Sequence, residues 1–307
     1  MILLCGIPSE PPLAMVIEAV QALGLPYVVF NQRNFANASF LFEFKGGQLS
    51  GWLEIDDSGY PLEQIEGVYV RLMDYQMLPE FRELPENSEN RRYAAALHEA
   101  LTRWAEITPA RVVNRMAPMA SNGSKPFQAQ LIKPYGFAVP ETLITNDPDE
   151  VRAFRAHHER IIYKSISGVR SIVQVFSDED LERLEHVRFC PTQFQVCVEG
   201  PEVRVHVVGD EVFATQVHSK ATDYRYARQQ IGQPATLEPI KLDPELADRC
   251  VRLSKGLGLA FSGIDLRLSP DGLIYCFEVN PCPGYSYYEA NTGQPISAAV
   301  ARYLAKK

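Results

Sequence analysis

Apolar and polar positions along this chain follow two periods, and the points where the period changes mark its elements. MILLCGI at the start is an unbroken apolar run of strand length, fit for a strand buried on both faces. Pro11 and Pro12 suit a helix start, LAMVIEAVQALG has helical spacing, and Gly24 ends it. YVVF is then a second strand, giving a β-α-β opening of the kind that begins parallel sheets. FLFEF and QLSGWLEI around Gly46 and Gly47 predict a hairpin, IEGVYVRL a strand, and ENRRYAAALHEALTRWAEI an amphipathic helix. Residues 1–112 therefore read as a small α/β domain.

Beyond that point the pattern shifts toward hairpins. SKPFQAQLIKPYG is helical, ended by Pro134 and Gly136, and AVPETLIT is extended. DPDEVRAFRAHHE is a helix capped by Asp147. RIIYKSI and IVQVF are strands flanking the loop SISGVRS; SDEDLERLEH is a short helix and TQFQVCVE a strand. EVRVHVV and EVFATQVH form a hairpin about a Gly-Asp turn. DPELADRCVRLSKGLGL is a helix capped by Asp243, and FSGIDLRLSPDGLIYCFEVN is a hairpin whose turn is SPDG.

Composition narrows the class. The 307 residues, 46% hydrophobic and 22% charged, describe an ordinary globular protein with room for two domains. A net charge of −8 argues against nucleic acid as a partner. No apolar run approaches the length of a membrane span and no signal peptide is visible, so a cytoplasmic protein without membrane attachment is expected. The six cysteines form no CxxC and are expected to be free thiols.

Three groups carry candidate chemistry. On the last hairpin, Glu278 and Asn280 lie two apart and point to one face, with Asp265 across from them on the paired strand. Two carboxylates and an amide oxygen form a hard donor set suited to Mg²⁺ or Mn²⁺, with positions left for water and phosphate. Lys125 opens a helix, and Lys164 sits in an apolar strand just before the loop containing Ser167 and Gly168, whose N–H groups could cover phosphates. On EVRVHVV, the valines take one face and Glu202, Arg204 and His206 the other, which is either a solvated face or the wall of an anion site. His206 and His218 are read as structural histidines, with a general-base role as the alternative. Arg71 is either a solvated arginine or a binder of a substrate carboxylate.

Taken in order, Lys125, Lys164, FQVCVEGPEVRVHVVGDEVFA, DYR and GIDLRLSPDGLIYCFEVNPCPG form a series that resembles the ATP-grasp superfamily, and within it the RimK-like carboxylate–amine ligase group. The resemblance covers about residues 112–307. It implies an ATP-grasp fold, α/β overall and α+β in its C-terminal part: a pre-ATP-grasp α/β domain at 1–112, one subdomain at 113–193, and a second, with the metal site, at 194–307. It implies ATP and Mg²⁺, with Lys125 and Lys164 on the phosphates and Lys164 also near the adenine. Val196, Cys197 and Val198 are implied as a hinge that reads adenine through its backbone. Glu202 is implied as the ribose partner and Arg225 as a phosphate ligand, while Asp265, Glu278 and Asn280 hold metal. Arg204 and Arg267 are implied near the transferred phosphate.

The chain departs from the family pattern in two places. Gln195-Val196 stands where Gln-Glu is usual, and the loop after Lys164 is poor in glycine, with Arg170 as a compensating cation. The implied activity is ATP-dependent amide formation through an acyl phosphate. The partners are a small-molecule or peptide carboxylate and an amine, with a homo-oligomer allowed. A maturase that cross-links ribosomally made peptides, or a nucleotide-binding protein without catalysis, is the alternative. Tyr285, Tyr287 and Tyr288 are expected to border the acceptor site.

Overall fold

The computed structural model describes residues 1–81, 84–166, 172–219, 232–233 and 235–306. Gly168, Arg170 and Arg225 lie outside the described residues.

The opening apolar run becomes β1 (Ile2–Gly6), and its lack of alternation has a direct cause. It lies inside a parallel sheet of order β2-β1-β6-β7, with β2 at Tyr27–Asn31, β6 at Gly67–Val70 and β7 at Arg111–Val113. Ile2 and Leu4 face one core, shared with helix Pro11–Ala22 and the C-terminal helix Ile296–Ala305. Leu3 and Cys5 face the other, shared with helix Glu89–Ile107. That second core also packs a three-stranded antiparallel sheet: β3 (Ala38–Lys45), β4 (Gln48–Ile55) and β5 (Ser58–Pro61).

The predicted hairpin at Gly46 and Gly47 is thus present with a further strand, β5. The extended segment 172–176 contributes less than its composition suggests. Only Gln174–Val175 forms a strand (β10), paired with Tyr163 and Ile162 of β9 (Ile161–Ser165), and the Phe176 N–H then bonds to the Ile161 carbonyl at 3.0 Å. β9, β10, β8 (Thr142–Thr145) and β11 (Thr192–Val196) make an antiparallel sheet of order β10-β9-β11-β8. Ile161, Tyr163 and Phe194 pack on helix Pro148–His157, capped by Asp147 as expected.

The largest sheet is antiparallel, in the order β14-β13-β12-β15-β16. Its strands are β12 (Glu202–Val208), β13 (Glu211–His218), β14 (Thr236–Ile240), β15 (Phe261–Leu268) and β16 (Ile274–Asn280). Val203, Val205 and Val207 are fully buried on its back, against helix Pro244–Gly256. Burying each valine stabilises by about 1.5 kcal/mol or more. A one-residue slip of β12 would forfeit all three and carry Glu202 into the core, so the register of the front face is fixed by the back. Among the described residues no helix is long and apolar enough to cross a membrane. All six cysteines are free, and burial pushes the Cys5 and Cys250 thiols up to about 12.

Candidate functional site

The front face of the large sheet carries its polar groups in rows that cross the strands. One row runs Thr215, Arg204, Asp265, Glu278; the next runs Val217, Glu202, Arg267, Tyr275; a third places His206, Gly263 and Asn280 side by side. The predicted pairing of Asp265 with Glu278 is therefore direct. Two carboxylates facing each other across a strand pair repel, and the chain supplies a cation to each. Arg204 Nη1 donates to Asp265 Oδ1 at 2.6 Å. Lys125 Nζ donates to Glu278 Oε1, and also to Asn122 Oδ1 at 2.7 Å.

A β-bulge tunes this edge. Asp265 pairs with Glu278, yet the next residue, Leu266, pairs with Cys276, which leaves Phe277 without a partner. The bulge reverses the facing of the strand: Cys276 enters the back core with Val279. Strict alternation would put Cys276 beside Glu278 on the site face. In the core it faces away from the Asp265–Glu278 pair, and burial holds the thiol well above its ordinary range.

Helix Lys125–Ile132 is fixed against this edge by one amide. Gln128 Nε2 donates to the Val279 carbonyl at 2.8 Å, and Gln128 Oε1 accepts the Val279 N–H at 3.0 Å. The side chain thus completes the edge of β16 and brings Lys125, one turn earlier, to Glu278. Gln128→Leu is expected to strand both backbone groups and lower Tm by about 2–6 °C, read by thermal unfolding; an unchanged Tm would refute this role.

Asn280 Oδ1 accepts the Cys282 N–H at 2.9 Å and so shapes the turn after β16, keeping its second lone pair for another partner. Among the described residues no group of three or more His, Cys, Asp or Glu is placed to hold a metal ion. The candidate set is two carboxylates and one amide oxygen. Such a set fits Mg²⁺, which takes few protein ligands and fills its remaining positions with phosphate oxygens and water.

The two arginines separate. Arg204 is 6% exposed and belongs with Asp265. Arg267 sits one row away: Nη1 donates to the Val198 carbonyl at 2.9 Å, Nη2 to Glu202 Oε2 at 2.9 Å, and its guanidinium lies 5.5 Å from the centre of the Phe277 ring. It is thereby joined to the segment expected to be the hinge and to Glu202, not to the Asp265–Glu278 pair. Within the hinge, the Val196 N–H is bonded to Glu141 O and the Cys197 N–H to Arg160 O. Lys164 stands opposite Gln193 on β9, on the face away from the Tyr163–Phe194 core.

The solvated-face alternative for β12 fails, because His206 is fully buried and Arg204 nearly so. Helix Ser286–Thr292 supplies the cover: its Tyr288 ring packs at 4.9 Å on His206 and lies 5.7 Å from the Arg204 guanidinium. Burial, with Arg204 alongside, holds the His206 imidazole well below its ordinary range. Tyr288 is therefore part of the packing. Tyr285 is 0% exposed and donates to the Pro12 carbonyl at 2.5 Å. Of the three tyrosines, Tyr287 at 45% exposure is the one presented to solvent.

Arg71 also departs from both of its readings. Its side chain is 8% exposed, paired with Glu10, and it donates to Cys282 Sγ at 3.2 Å and to the Pro283 carbonyl at 3.4 Å. Burial works against its charge, and the Glu10 bond together with the fields of Tyr69, Cys282 and Glu10 outweighs that, holding the guanidinium above its ordinary range. It clamps the turn after Asn280 to the N-terminal unit.

Asn114 does similar work and is unmarked in the sequence. Its Oδ1 accepts the N–H groups of Ala260 at 2.8 Å and Phe261 at 3.0 Å. Its Nδ2 donates to the carbonyls of Phe261 and Pro281, both at 2.6 Å. Gln128, Phe277 and Gly263 were likewise missed; the signal available for Gly263 is its place two residues before Asp265, on the same face of β15.

Comparisons with known proteins agree with this geometry. A family model described as RimK-like ATP-grasp domain matches residues 123–304. A protein of Chromohalobacter salexigens named "Probable alpha-L-glutamate ligase" is 24% identical over 67% of this chain and 71% of its own. The macrocyclase MdnC of Microcystis aeruginosa, solved with the precursor peptide MdnA, superposes with a TM-score of 0.78 at 24% identity, covering 100% of both chains. The ATP-grasp ligase PsnB, solved with a minimal precursor, Mg and ADP, gives a TM-score of 0.76 at 27% identity, covering 99% of this chain and 96% of that one.

Proposed function

The chain belongs to the RimK-like ATP-grasp family and is an ATP-dependent ligase, and we propose that it activates a side-chain carboxylate of a peptide and joins it to an amine or hydroxyl of the same peptide. The observation that carries this reading is the extent of the structural match. It runs over 99% of this chain, N-terminal unit included, against a ligase solved with its precursor peptide. Transfer of a glutamyl residue is the second reading, favoured by the curated relatives, which match over 67% of the chain. A nucleotide-binding protein without catalysis is disfavoured by the intact set of Lys125, Lys164, Asp265, Glu278 and Asn280.

In this reading MgATP lies between the sheet of β8–β11 and the front face of the large sheet. Adenine meets the backbone of Val196, Cys197 and Val198, and Glu202 meets the ribose. Lys125 and Lys164 neutralise the phosphates. Asp265, Glu278 and Asn280 would hold Mg²⁺, and the same hard oxygens would accept Mn²⁺; the ion supplies charge neutralisation at the phosphates. A carboxylate oxygen attacks the γ-phosphorus, the bond to the β-phosphate oxygen breaks, and ADP leaves. The nucleophile then attacks the acyl carbon, its proton is lost, and inorganic phosphate departs. In this reading Arg204 balances the charge of the transferred group, which its bond to Asp265 supports.

Arg267 takes a different task in this scheme. Its bonds to Val198 and Glu202 hold the hinge and the ribose partner together. Arg267→Met is expected to raise the KM for ATP by about ten-fold and leave kcat within about two-fold. A drop in kcat at saturating ATP would return Arg267 to the transferred phosphate.

The function is tested by incubating the protein with MgATP and the peptides encoded beside its gene, followed by mass spectrometry. Loss of one water per link, matched by one ADP, supports peptide cross-linking. Gain of a glutamyl residue when glutamate is added would establish the second reading. Absence of ADP above the peptide-free rate would remove the ligase assignment for these substrates.

A further inference from the structure

His206 is a buried polar side chain of the front face that takes no part in the proposed mechanism. Its ring is fully buried, between Tyr288 at 4.9 Å and Phe261 at 6.3 Å. Nε2 faces the Nε–H of Arg204 at 3.4 Å, so the ring proton resides on Nδ1. Nδ1 is itself buried and meets no hydrogen-bond partner among the described residues. An apolar residue would fill this space without stranding a polar atom, so packing alone does not account for an imidazole here.

The surroundings of Arg204 supply the account. Nη1 is bonded to Asp265. The guanidinium lies flat across Gly263, where a Cβ would stand 2.1 Å from Nη2 and 2.9 Å from Nε. The ring of Tyr288 lies on another side. These contacts confine the group at Nη1 and on its faces, and His206 meets it at Nε. We propose that His206 is a positioning residue, whose neutral imidazole accepts the Arg204 Nε–H and fixes the plane in which the guanidinium meets Asp265 and the transferred phosphoryl group. Lowering of the imidazole by burial keeps that lone pair available. The inference rests on the reading that Arg204 serves the phosphoryl end.

Two readouts test it. Without turnover, the Arg204 Nε–H is followed by NMR, assigned by its loss in Arg204→Lys. Its exchange with solvent is expected to quicken about ten-fold or more in His206→Leu and to stay slow in His206→Gln, whose amide oxygen reaches the Nε2 position. With the peptide substrate, His206→Leu is expected to lower kcat by about ten- to a hundred-fold with the KM for ATP within about two-fold, and His206→Gln to recover most of it. Thermal unfolding checks each variant, and His206→Met carries the apolar test if the leucine protein does not fold. Equal exchange in all variants, or a glutamine protein as impaired as the apolar one, overturns the proposal. A wild-type protein that forms no ADP refutes the functional reading instead, and the exchange measurement still decides the contact.

Discussion

Glu278→Gln is expected to lower ADP-forming ligation by about 100-fold or more while leaving the fold intact. The substitution keeps the size of the side chain and removes its charge. Glu278 is opposed to Asp265 and bonded to Lys125, so it is one of the two carboxylates around which the cations of the site are arranged. Losing that charge weakens the hold on a hard cation and leaves Lys125 without its anionic partner. The fold has little at stake, because the pair is partly exposed, at 26% for each side chain, and such pairs contribute about 1 kcal/mol or less. The measurement pairs steady-state ADP release with thermal unfolding. Full retained activity would sink the metal assignment, and a large fall in Tm would show that Glu278 is chiefly structural.

Asn114→Ala is expected to have the largest effect on stability, about 2–4 kcal/mol. The amide is buried and makes four hydrogen bonds to backbone groups of Ala260, Phe261 and Pro281. Alanine leaves those groups unpaired, at about 1–3 kcal/mol for a buried group that finds no water. These bonds tie the end of β7 to the start of β15 and to the turn that follows Asn280. Activity should therefore fall with stability even though Asn114 touches no proposed ligand. The denaturant midpoint and kcat are measured together. A midpoint equal to that of the wild type would show that water replaces the amide.

Much of the candidate site was legible because it lies on strands, where local period fixes facing. Val203, Val205 and Val207 specify the back of β12, and Glu202, Arg204 and His206 must then share the front. The SPDG turn brings the two strands of the hairpin together, the bulge at Phe277 then sets Asp265 across from Glu278, and the hard oxygen set follows from residue types alone. Elements whose partners are remote were harder to read. The helices Ser286–Thr292 and Ile296–Ala305 were not anticipated, although the second completes the core under β1 and β6.

What the sequence determined by itself is the alternation of buried and polar positions, the two hairpins of the large sheet, the acid-amide cluster, and the family resemblance carried by their order. The tertiary structure alone decided which polar face stays open. It buried Arg204 and His206 beneath Tyr288, moved Cys276 to the core through the bulge at Phe277, joined Arg267 to the hinge at Val198, and engaged Arg71 with Glu10. The reason is range. Periodicity is set by a residue and its near neighbours, whereas burial and ion pairing depend on segments hundreds of positions away, as Arg71 and Pro283 are. No local pattern can state which of a side chain's donors a distant acceptor will take.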